Sequence, residues 1–170
     1  MMYILLIVQY RLTNKGNIMS TRSTIAVKLE DNSYRQVYCY WDGYLSNNGQ
    51  KLLRHYNSQA LAELVTSEGD ISALHEHYST GNHADESVTV LCGRDRLELD
   101  CGPYAFKDEK DFIKNRQEEE YNYLFQNNQW YVKFGVIDYV PLTQALVDMP
   151  FDNYYLILLS YLSHHDNTFN

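Results

Sequence analysis

The sequence has few cysteines, few prolines and no long apolar run. Of its 170 residues, three are cysteine and three are proline, and no two cysteines form a Cys-x-x-Cys motif. This composition excludes a disulfide-rich secreted scaffold and a zinc ribbon, so we expect reduced, buried thiols. No segment approaches the roughly 18 apolar residues that a membrane-spanning helix needs. We therefore expect a cytoplasmic protein that does not associate with membranes and carries no cofactor.

Positive charge is also scarce. The chain has 14 Lys and Arg against 22 Asp and Glu, a net charge of −8 at pH 7. A protein that tracks nucleic-acid phosphates needs a basic surface, so direct nucleic-acid binding is not expected. Tyrosine, by contrast, is abundant, with 16 residues. Its large apolar ring and polar tip suit half-buried sheets and binding faces alike.

The N-terminal segment MMYILLIVQYRLTNKGNI lacks the features of a signal peptide, because no Lys or Arg precedes its short apolar run. Lys15-Gly16 must be encoded by a purine-rich AA(A/G)-GGN sequence that resembles a bacterial ribosome-binding site, shortly before Met19. We therefore expect translation to start at Met19. Residues 1–18 would then be a translated leader or non-native extension, and residues 19–170 a single domain. A genuine additional strand at Tyr3–Tyr10 is the alternative.

Hydrophobic alternation predicts a first β-hairpin. Ser23–Glu30 and Tyr34–Trp41 alternate with period two around the turn cluster Asp31-Asn32-Ser33. In the second strand Val37, Cys39 and Trp41 share one face, which we expect to be the core face. Asp42-Gly43 ends the strand, and Gly43 permits a positive φ there.

The rest of the chain mixes helical and strand patterns. The predicted elements are a helix from about Ser46 to Tyr56, a helix restarting at Asn57-Ser58 with Leu61, Leu64 and Val65 inward, a strand at Val88–Cys92 broken by Gly93, a short exposed helix at Lys107–Arg116, a hairpin of Glu120–Phe125 with Trp130–Phe134, and helices at Leu142–Met149 and Phe151–Leu162. Together they predict one α+β domain, with a mainly antiparallel sheet and helices packed on one face.

Several short motifs carry a resemblance to a known family. They are Ser20-Thr21-Arg22-Ser23-Thr24-Ile25, Val37-Tyr38-Cys39-Tyr40-Trp41-Asp42-Gly43-Tyr44, Gly49, Leu52-Leu53, His55-Tyr56, Gly69-Asp70-Ile71-Ser72, Gly93-Arg94-Asp95-Arg96 and Glu120-Tyr121-Asn122-Tyr123-Leu124-Phe125. Over about Ser20 to Leu146 the chain resembles small, largely uncharacterised proteins of bacteriophages and prophages. The resemblance implies a phage origin and a start at Met19, and no established activity. The family pattern favours His where this chain has Tyr40, which weakens an imidazole-based mechanism.

Two interpretations of the Cys39–Tyr44 stretch are open. Cys39 could be a nucleophile activated by His55, but its place on the apolar face favours an inert buried thiol. Trp41 and Tyr44 could stack on a ligand while Asp42 accepts a hydrogen bond, which would suit a nucleobase, a sugar or a partner's arginine. The simpler interpretation is a strand end followed by a turn.

The Gly93-Arg94-Asp95-Arg96 motif also has two interpretations. Arg94 and Arg96 could hold a phosphate or carboxylate in a bidentate fork. Alternatively, an Arg–Asp pair fixes the loop. If this loop lies near Trp41, the combination would form a small pocket for an anionic, nucleotide-like ligand.

Two further clusters are candidates for other chemistry. His75 and His77 could chelate a metal with His83 if they lie on a strand, although histidines in a polar region are more often solvated and we predict no metal site. The acidic residues around Asp108–Asp111 and Glu118–Glu120 could mimic DNA phosphates, but the lysines and arginines among them favour an ordinary wet surface.

The sequence thus predicts a phage accessory protein that acts by binding in the host cytoplasm. Its partner would be a host or defence protein, or a small nucleotide-like ligand, and formation of a homo-oligomer is left open. The predicted contacts are Trp41, Asp42, Tyr44, His55, Arg94, Asp95 and Arg96. A small hydrolase or transferase using Asp42, His55 and the two arginines is one alternative, and an acidic DNA-mimic inhibitor is another.

Overall fold

The computed structural model describes residues 21–79, 86–135 and 137–148. Over these ranges one mixed sheet carries short helices, the α+β class that the sequence predicts. The strands are β1 (Ser23–Lys28), β2 (Tyr34–Cys39), β3 (Ile71–Ala73), β4 (Val90–Leu91), β5 (Tyr104–Phe106), β6 (Tyr121–Gln126), β7 (Gln129–Phe134) and β8 (Ile137–Pro141). The helices are a π-helical turn (Leu45–Gly49), α1 (Gln50–His55), α2 (Gln59–Val65), α3 (Cys92–Arg96), α4 (Glu109–Asn115) and α5 (Leu142–Asp148). The predicted leader at 1–18 and the predicted helix at 151–162 lie outside the described residues.

Two hairpins form the centre of the sheet, and both are the predicted ones. The strand order is β4-β3-β2-β1-β6-β7-β8, with β5 also paired to β2. β1 pairs antiparallel with β2, β6 pairs antiparallel with β7, and the hairpins join through a parallel pairing of β1 with β6. Asn127 and Asn128, at φ 52° and 58°, form the two-residue turn between β6 and β7. Asparagine tolerates this left-handed conformation, which tight hairpin turns require.

The main core covers one face of the sheet. Side chains from alternate strand positions, including Ile25, Val37 and Phe125, are fully buried there. Helices α1, α2 and α5 close this face, with Leu52, Ala62, Val65, Leu142 and Ala145 in the same cluster. Leu61 was predicted to point inward, but it is 36% exposed, and Ala62 takes the buried position. The small Ala62 escapes a pattern search that looks for large apolar residues.

A second, smaller core covers part of the opposite face. It contains Ala26, Tyr34, Phe106, Phe112 and Leu124. The rings of Tyr34 and Phe112 are stacked, 4.7 Å apart and 9° from parallel, so α4 docks on this face and is not only the exposed helix that was predicted. Because both of its faces are covered, β1 is buried from Ser23 to Val27.

The strand predicted at Val88–Cys92 ends one residue earlier, at Leu91. β4 contains only Val90 and Leu91, and Cys92 begins the short helix α3, which includes Gly93. The Asp95 carboxylate accepts a hydrogen bond from the Leu91 N–H at 2.7 Å, which starts the helix in place of a continued strand. Such contacts with a residue four positions ahead are not visible in a period-two pattern.

Candidate functional site

The exit of β2 is a tight corner at Asp42-Gly43. The positive φ was predicted at Gly43, but Asp42 adopts it, at φ 56°. Gly43 is required for a different reason. A Cβ built on it would lie 2.7 Å from the Arg22 carbonyl carbon and 2.8 Å from Ser23 Cβ. The corner therefore presses against the start of β1, which only a residue without a side chain permits.

Asn48, a fully buried residue of the π-helical turn, ties the corner together. Its side-chain Nδ2 donates to the Trp41 carbonyl at 3.2 Å and lies 3.3 Å from Cys39 Sγ. Its backbone N–H donates to the Asp42 carbonyl at 3.3 Å. These bonds hold the backbone of residues 41–43 in one geometry, so the side chains that leave it are pre-positioned.

Trp41 leaves the corner toward solvent. The core face predicted for it is wrong, since its side chain is 48% exposed while Cys39, two residues earlier, is fully buried. The strand ends at Cys39, so the alternation of faces does not extend to Trp41. Tyr44, by contrast, is half-buried and packs against the main core. The two aromatic rings thus occupy different environments.

Exposed leucines lie on the segment after helix α3, whose Glu98 is within electrostatic reach of Tyr40. Leu97, the residue after helix α3, has φ 58° and is 84% exposed, and Leu99 is 88% exposed. Tyr40, itself 39% exposed, lies close enough to Glu98 for the carboxylate to help raise the pKa of its hydroxyl, after the larger effects of burial and of Cys92 and Asp70. We call Tyr40, Trp41, Leu97 and Leu99 the apolar patch. Neither leucine is among the predicted contacts, because the alternating segment Arg96–Asp100 also fits a half-buried strand.

Arg94 is engaged inside the protein. Nε and Nη2 donate to the two carboxylate oxygens of Asp95, each at 2.8 Å, and Nη2 also donates to the Thr89 carbonyl at 3.1 Å. Nη1 donates to the Ser79 carbonyl and lies 3.5 Å from the Glu68 carboxylate. All three guanidinium nitrogens therefore have partners, which is the loop-fixing arrangement. Arg96 remains exposed.

His75 lies within electrostatic reach of Asp42. Burial and the nearby Lys51 ammonium lower the pKa of His75, while Asp42 and Glu76 oppose them. The rings of His55 and His77 are 6.5 Å apart. Within residues 21–79, 86–135 and 137–148, no three His, Cys, Asp or Glu side chains converge to hold a metal ion. His83 lies outside the described residues.

The nucleophile hypothesis for Cys39 meets an unfavourable environment. The side chain is fully buried, and this burial raises the pKa of the thiol to about 11. Its sulfur lies 3.6 Å from the Trp41 carbonyl and next to the Asn48 amide. A nucleophilic cysteine needs an accessible thiolate, so Cys39 is the inert core thiol that the apolar face predicts.

The acidic segment before β6 is partly neutralised. Glu118 accepts hydrogen bonds from Lys133 at 2.6 Å and from Arg116 at 2.7 Å, and these cations lower the pKa of its carboxyl. The Arg116 guanidinium also lies over the rings of Phe112 and Tyr139, 5.3 and 5.5 Å from their centroids. This arrangement is an ion-pair network that anchors the segment to the second core.

Comparison with known proteins finds no relative of this chain. The chain matches no protein-family model, and no curated protein or solved structure is significantly similar to it. Among the described residues, no helix is both long and apolar enough to cross a membrane.

Proposed function

We propose that this protein acts by binding another protein, with the apolar patch as its contact surface. Leu97 is the residue that carries the proposal. It is 84% exposed and has a left-handed backbone, at φ 58°. That conformation costs a residue with a Cβ roughly 1–2 kcal/mol, and helix ends normally use glycine or asparagine there. The described fold gains no burial from the leucine, so its side chain fits a role in contact with a partner.

The patch has the composition of an interface centre. Tryptophan and tyrosine are enriched among the residues that dominate protein–protein binding. Trp41 and Tyr40 are partly exposed here, and Leu97 and Leu99 are almost fully exposed on either side of Glu98, which acts on Tyr40. Covering one leucine side chain contributes about 1.5–3 kcal/mol. The rigid corner formed by Asn48 and Gly43 lowers the ordering cost of presenting Trp41.

The rim of the patch is acidic. Asp42, Glu98 and Asp100 are exposed around it, and the whole chain carries a net charge of −8. A complementary partner would present an apolar anchor surrounded by lysine or arginine. An arginine could lie over the Trp41 ring and bond the Asp42 carboxylate. Opposite net charges would also speed the encounter.

Sequestration of a nucleotide-like ligand has weaker support. Phosphates need cationic donors, and Arg94 already uses its three nitrogens inside the protein. Arg96 is exposed, but the neighbouring Glu98 and Asp100 would repel an anion. A protein partner with basic residues avoids this repulsion.

The resemblance to phage and prophage proteins suggests the setting. As a phage accessory protein in the host cytoplasm, the chain would bind and inhibit a host or defence protein. The acidic DNA-mimic alternative has less support, because Glu118 is paired with Arg116 and Lys133. The hydrolase or transferase alternative has less support too, because it needs Arg94 as a free anion-binding group.

The test compares capture from a bacterial host lysate by matched variants. The patch variant is Leu97→Ser with Leu99→Ser. The control is Ile113→Ser with Val147→Ser, which removes exposed apolar side chains from α4 and α5. We expect the wild type and the control to retain the same protein, and the patch variant to retain it at least about tenfold less, since 1.4 kcal/mol corresponds to tenfold in affinity.

Two results would contradict the proposal. One is equal retention of the same protein by the patch variant and the wild type. The other is turnover of a nucleotide or metabolite by the purified wild type, at a rate that Asp42→Asn abolishes, which would instead support the enzymatic alternative.

A further inference from the structure

The sequence places glycine directly after Asn48, and no other asparagine of the chain precedes a glycine. In a flexible chain such a pair is chemically labile, because glycine has no Cβ to shield its backbone nitrogen from the neighbouring side chain. That nitrogen can attack the side-chain amide carbon of the asparagine. Asn48 is therefore the asparagine most reactive toward deamidation whenever the chain is unfolded.

The fold shields the Asn48 amide. The side chain is 0% exposed, so bulk water does not reach it. Its Nδ2 donates to the Trp41 carbonyl at 3.2 Å and lies 3.3 Å from both Ser23 Oγ and Cys39 Sγ. These contacts fix the orientation of the amide within the core.

The backbone of the pair is fixed as well. Gly49 is the last residue of the π-helical turn and the N-cap of α1, at φ −57° and ψ −47°. Its N–H donates to the Tyr44 carbonyl at 3.4 Å, and the Asn48 N–H donates to the Asp42 carbonyl at 3.3 Å. In a helical backbone the next nitrogen reaches the side-chain amide carbon only after rotation about ψ, so ring closure requires that the turn unfold.

The fold also requires both members of this labile pair. A Cβ built on Gly49 would lie 3.3 Å from Leu142 Cδ1 and 3.3 Å from Tyr123 Oη, so a side chain there would crowd the core. Asn48 supplies the amide donor for the Trp41 carbonyl, which an aspartate cannot replace. The packing of the corner therefore explains why a chemically labile pair occupies a buried turn.

We propose that Asn48 is a deamidation site that folding protects, and that its conversion prevents return to the native fold. In the unfolded chain the Gly49 nitrogen attacks Asn48 Cγ, the bond from Cγ to the amide nitrogen breaks, and ammonia leaves. Water then opens the cyclic imide at either of its carbonyls, which yields aspartate or isoaspartate. One water is consumed and one ammonia is released, and no electrons are exchanged with another molecule.

Neither product fits the corner. The aspartate product turns a carboxylate oxygen toward the Trp41 carbonyl, where Nδ2 donated before, and buries a charge. The isoaspartate product adds a carbon to the backbone and interrupts the π-helical turn. A molecule that stays unfolded long enough is thus permanently removed from the folded population. The modification does not depend on what Trp41 binds.

The test incubates the full-length protein at mildly alkaline pH in heavy-oxygen water, either folded in buffer or unfolded in urea, and then uses proteolytic digestion and mass spectrometry. We expect Asn48 to incorporate heavy oxygen at least about a hundredfold more slowly in the folded protein, since only the small unfolded fraction reacts. The exposed Asn57, which precedes Ser58, is the internal reference and should differ far less between the two conditions. In urea, Gly49→Ala should slow the conversion of Asn48, because its Cβ hinders the attacking nitrogen.

Dilution out of urea then measures the consequence for folding. The refolded fraction, isolated by size-exclusion chromatography, should be depleted of converted Asn48 and should contain converted Asn57 in the same proportion as the unfolded sample. Asn48→Asp should shift the folding equilibrium toward the unfolded state by at least about tenfold, because a buried acceptor loses its donor beside a buried charge. The matched control Asn57→Asp should leave that equilibrium nearly unchanged.

The protected site is overturned if Asn48 converts equally fast in buffer and in urea, if it stays intact in urea while Asn57 converts, or if Gly49→Ala leaves its rate unchanged. The block to refolding is overturned if the refolded fraction contains converted Asn48 in the same proportion as the unfolded sample, or if Asn48→Asp is as stable as the wild type.

Discussion

The Tyr123 hydroxyl donates a hydrogen bond to the Gly43 carbonyl at 2.8 Å, across 80 residues of sequence. Both residues are buried, so water cannot replace the bond. Tyr123 lies in β6, and Gly43 forms the corner that presents Trp41. The contact thus links the second hairpin to the site built at the end of the first. It explains how a short turn motif becomes a rigid corner.

Removing this hydroxyl should destabilise the protein. Tyr123→Phe leaves the Gly43 carbonyl buried without that donor, and we expect a loss of about 1–3 kcal/mol in the free energy of unfolding. Urea denaturation measures it. Tyr131→Phe, at a half-buried position of β7 on the opposite side of the sheet, is the control and should change stability by less than about 0.5 kcal/mol. Equal effects of the two variants would show that the contact does not matter.

Two glycines should respond to alanine in opposite directions. Gly43→Ala places a methyl group 2.7 Å from backbone atoms of Arg22, so we expect a loss of about 1–3 kcal/mol or more. Gly93→Ala meets nothing closer than 3.9 Å and lies in helix α3, so we expect a gain of about 0.5–1 kcal/mol. Chemical denaturation of both variants checks the signs. A tolerated alanine at position 43 would mean that the corner can relax away from β1.

Asp70 should make stability fall as the pH rises above the ordinary carboxyl range. Burial raises the pKa of this carboxyl above 3.8, although the Tyr38 N–H bonds it at 2.8 Å. Between 3.8 and the folded-state pKa the native protein binds more protons than the unfolded chain, so its stability declines as the pH rises through that window. Asp70→Asn keeps an acceptor for the Tyr38 N–H and should remove this decline.

The measurement for Asp70 is the free energy of unfolding from about pH 3 to pH 8, compared between variants. The wild type should lose stability relative to Asp70→Asn as the pH rises. Asp70→Ala should be less stable than Asp70→Asn throughout, because the Tyr38 N–H loses its acceptor. If the wild type instead becomes more stable relative to Asp70→Asn as the pH rises, the pKa of Asp70 is lowered by folding and not raised.

Replacing Leu97 should raise the stability of the protein and weaken its binding to the partner. Leu97→Asn suits the left-handed backbone and removes an exposed apolar side chain, so we expect a gain of up to about 1 kcal/mol. Capture of the partner from lysate should fall at the same time. Thermal melts and quantitative capture on the same sample check both effects. A variant that is more stable and binds equally well would show that Leu97 is not part of the contact surface.

The sequence patterns identify the hairpins because those signals are local. The Asn127-Asn128 turn and the alternation around it depend on residues within a few positions of one another, so the β6–β7 hairpin is predictable. The start of α2 after Ser58, whose hydroxyl accepts a hydrogen bond from the Leu61 N–H, is predictable for the same reason. The α4 contact with Tyr34 is not, because a helix facing water and a helix docking one phenylalanine have nearly the same pattern.

The candidate site is only partly predictable. The Trp41-Asp42-Gly43 corner was visible as a strand end, but its direction depends on Asn48 and Tyr123, which are distant in sequence or in another element. Arg94 looks like an anion clamp in sequence, and contacts with Ser79, Thr89 and Glu68 turn it inward. The sequence pattern around Leu97 and Leu99 fits half-buried strand residues, but in the structure both side chains are exposed.

By itself, then, the sequence determined the α+β class, the two hairpins and the turn at the end of β2, since each follows from short-range periodicity and turn chemistry. Tertiary structure alone decided the parallel junction of β1 with β6, the second core and the composition of the apolar patch. These features depend on which distant segments meet, and that is set by the summed burial of the whole chain. Trp41 and Leu97 are exposed because no other described segment packs over them.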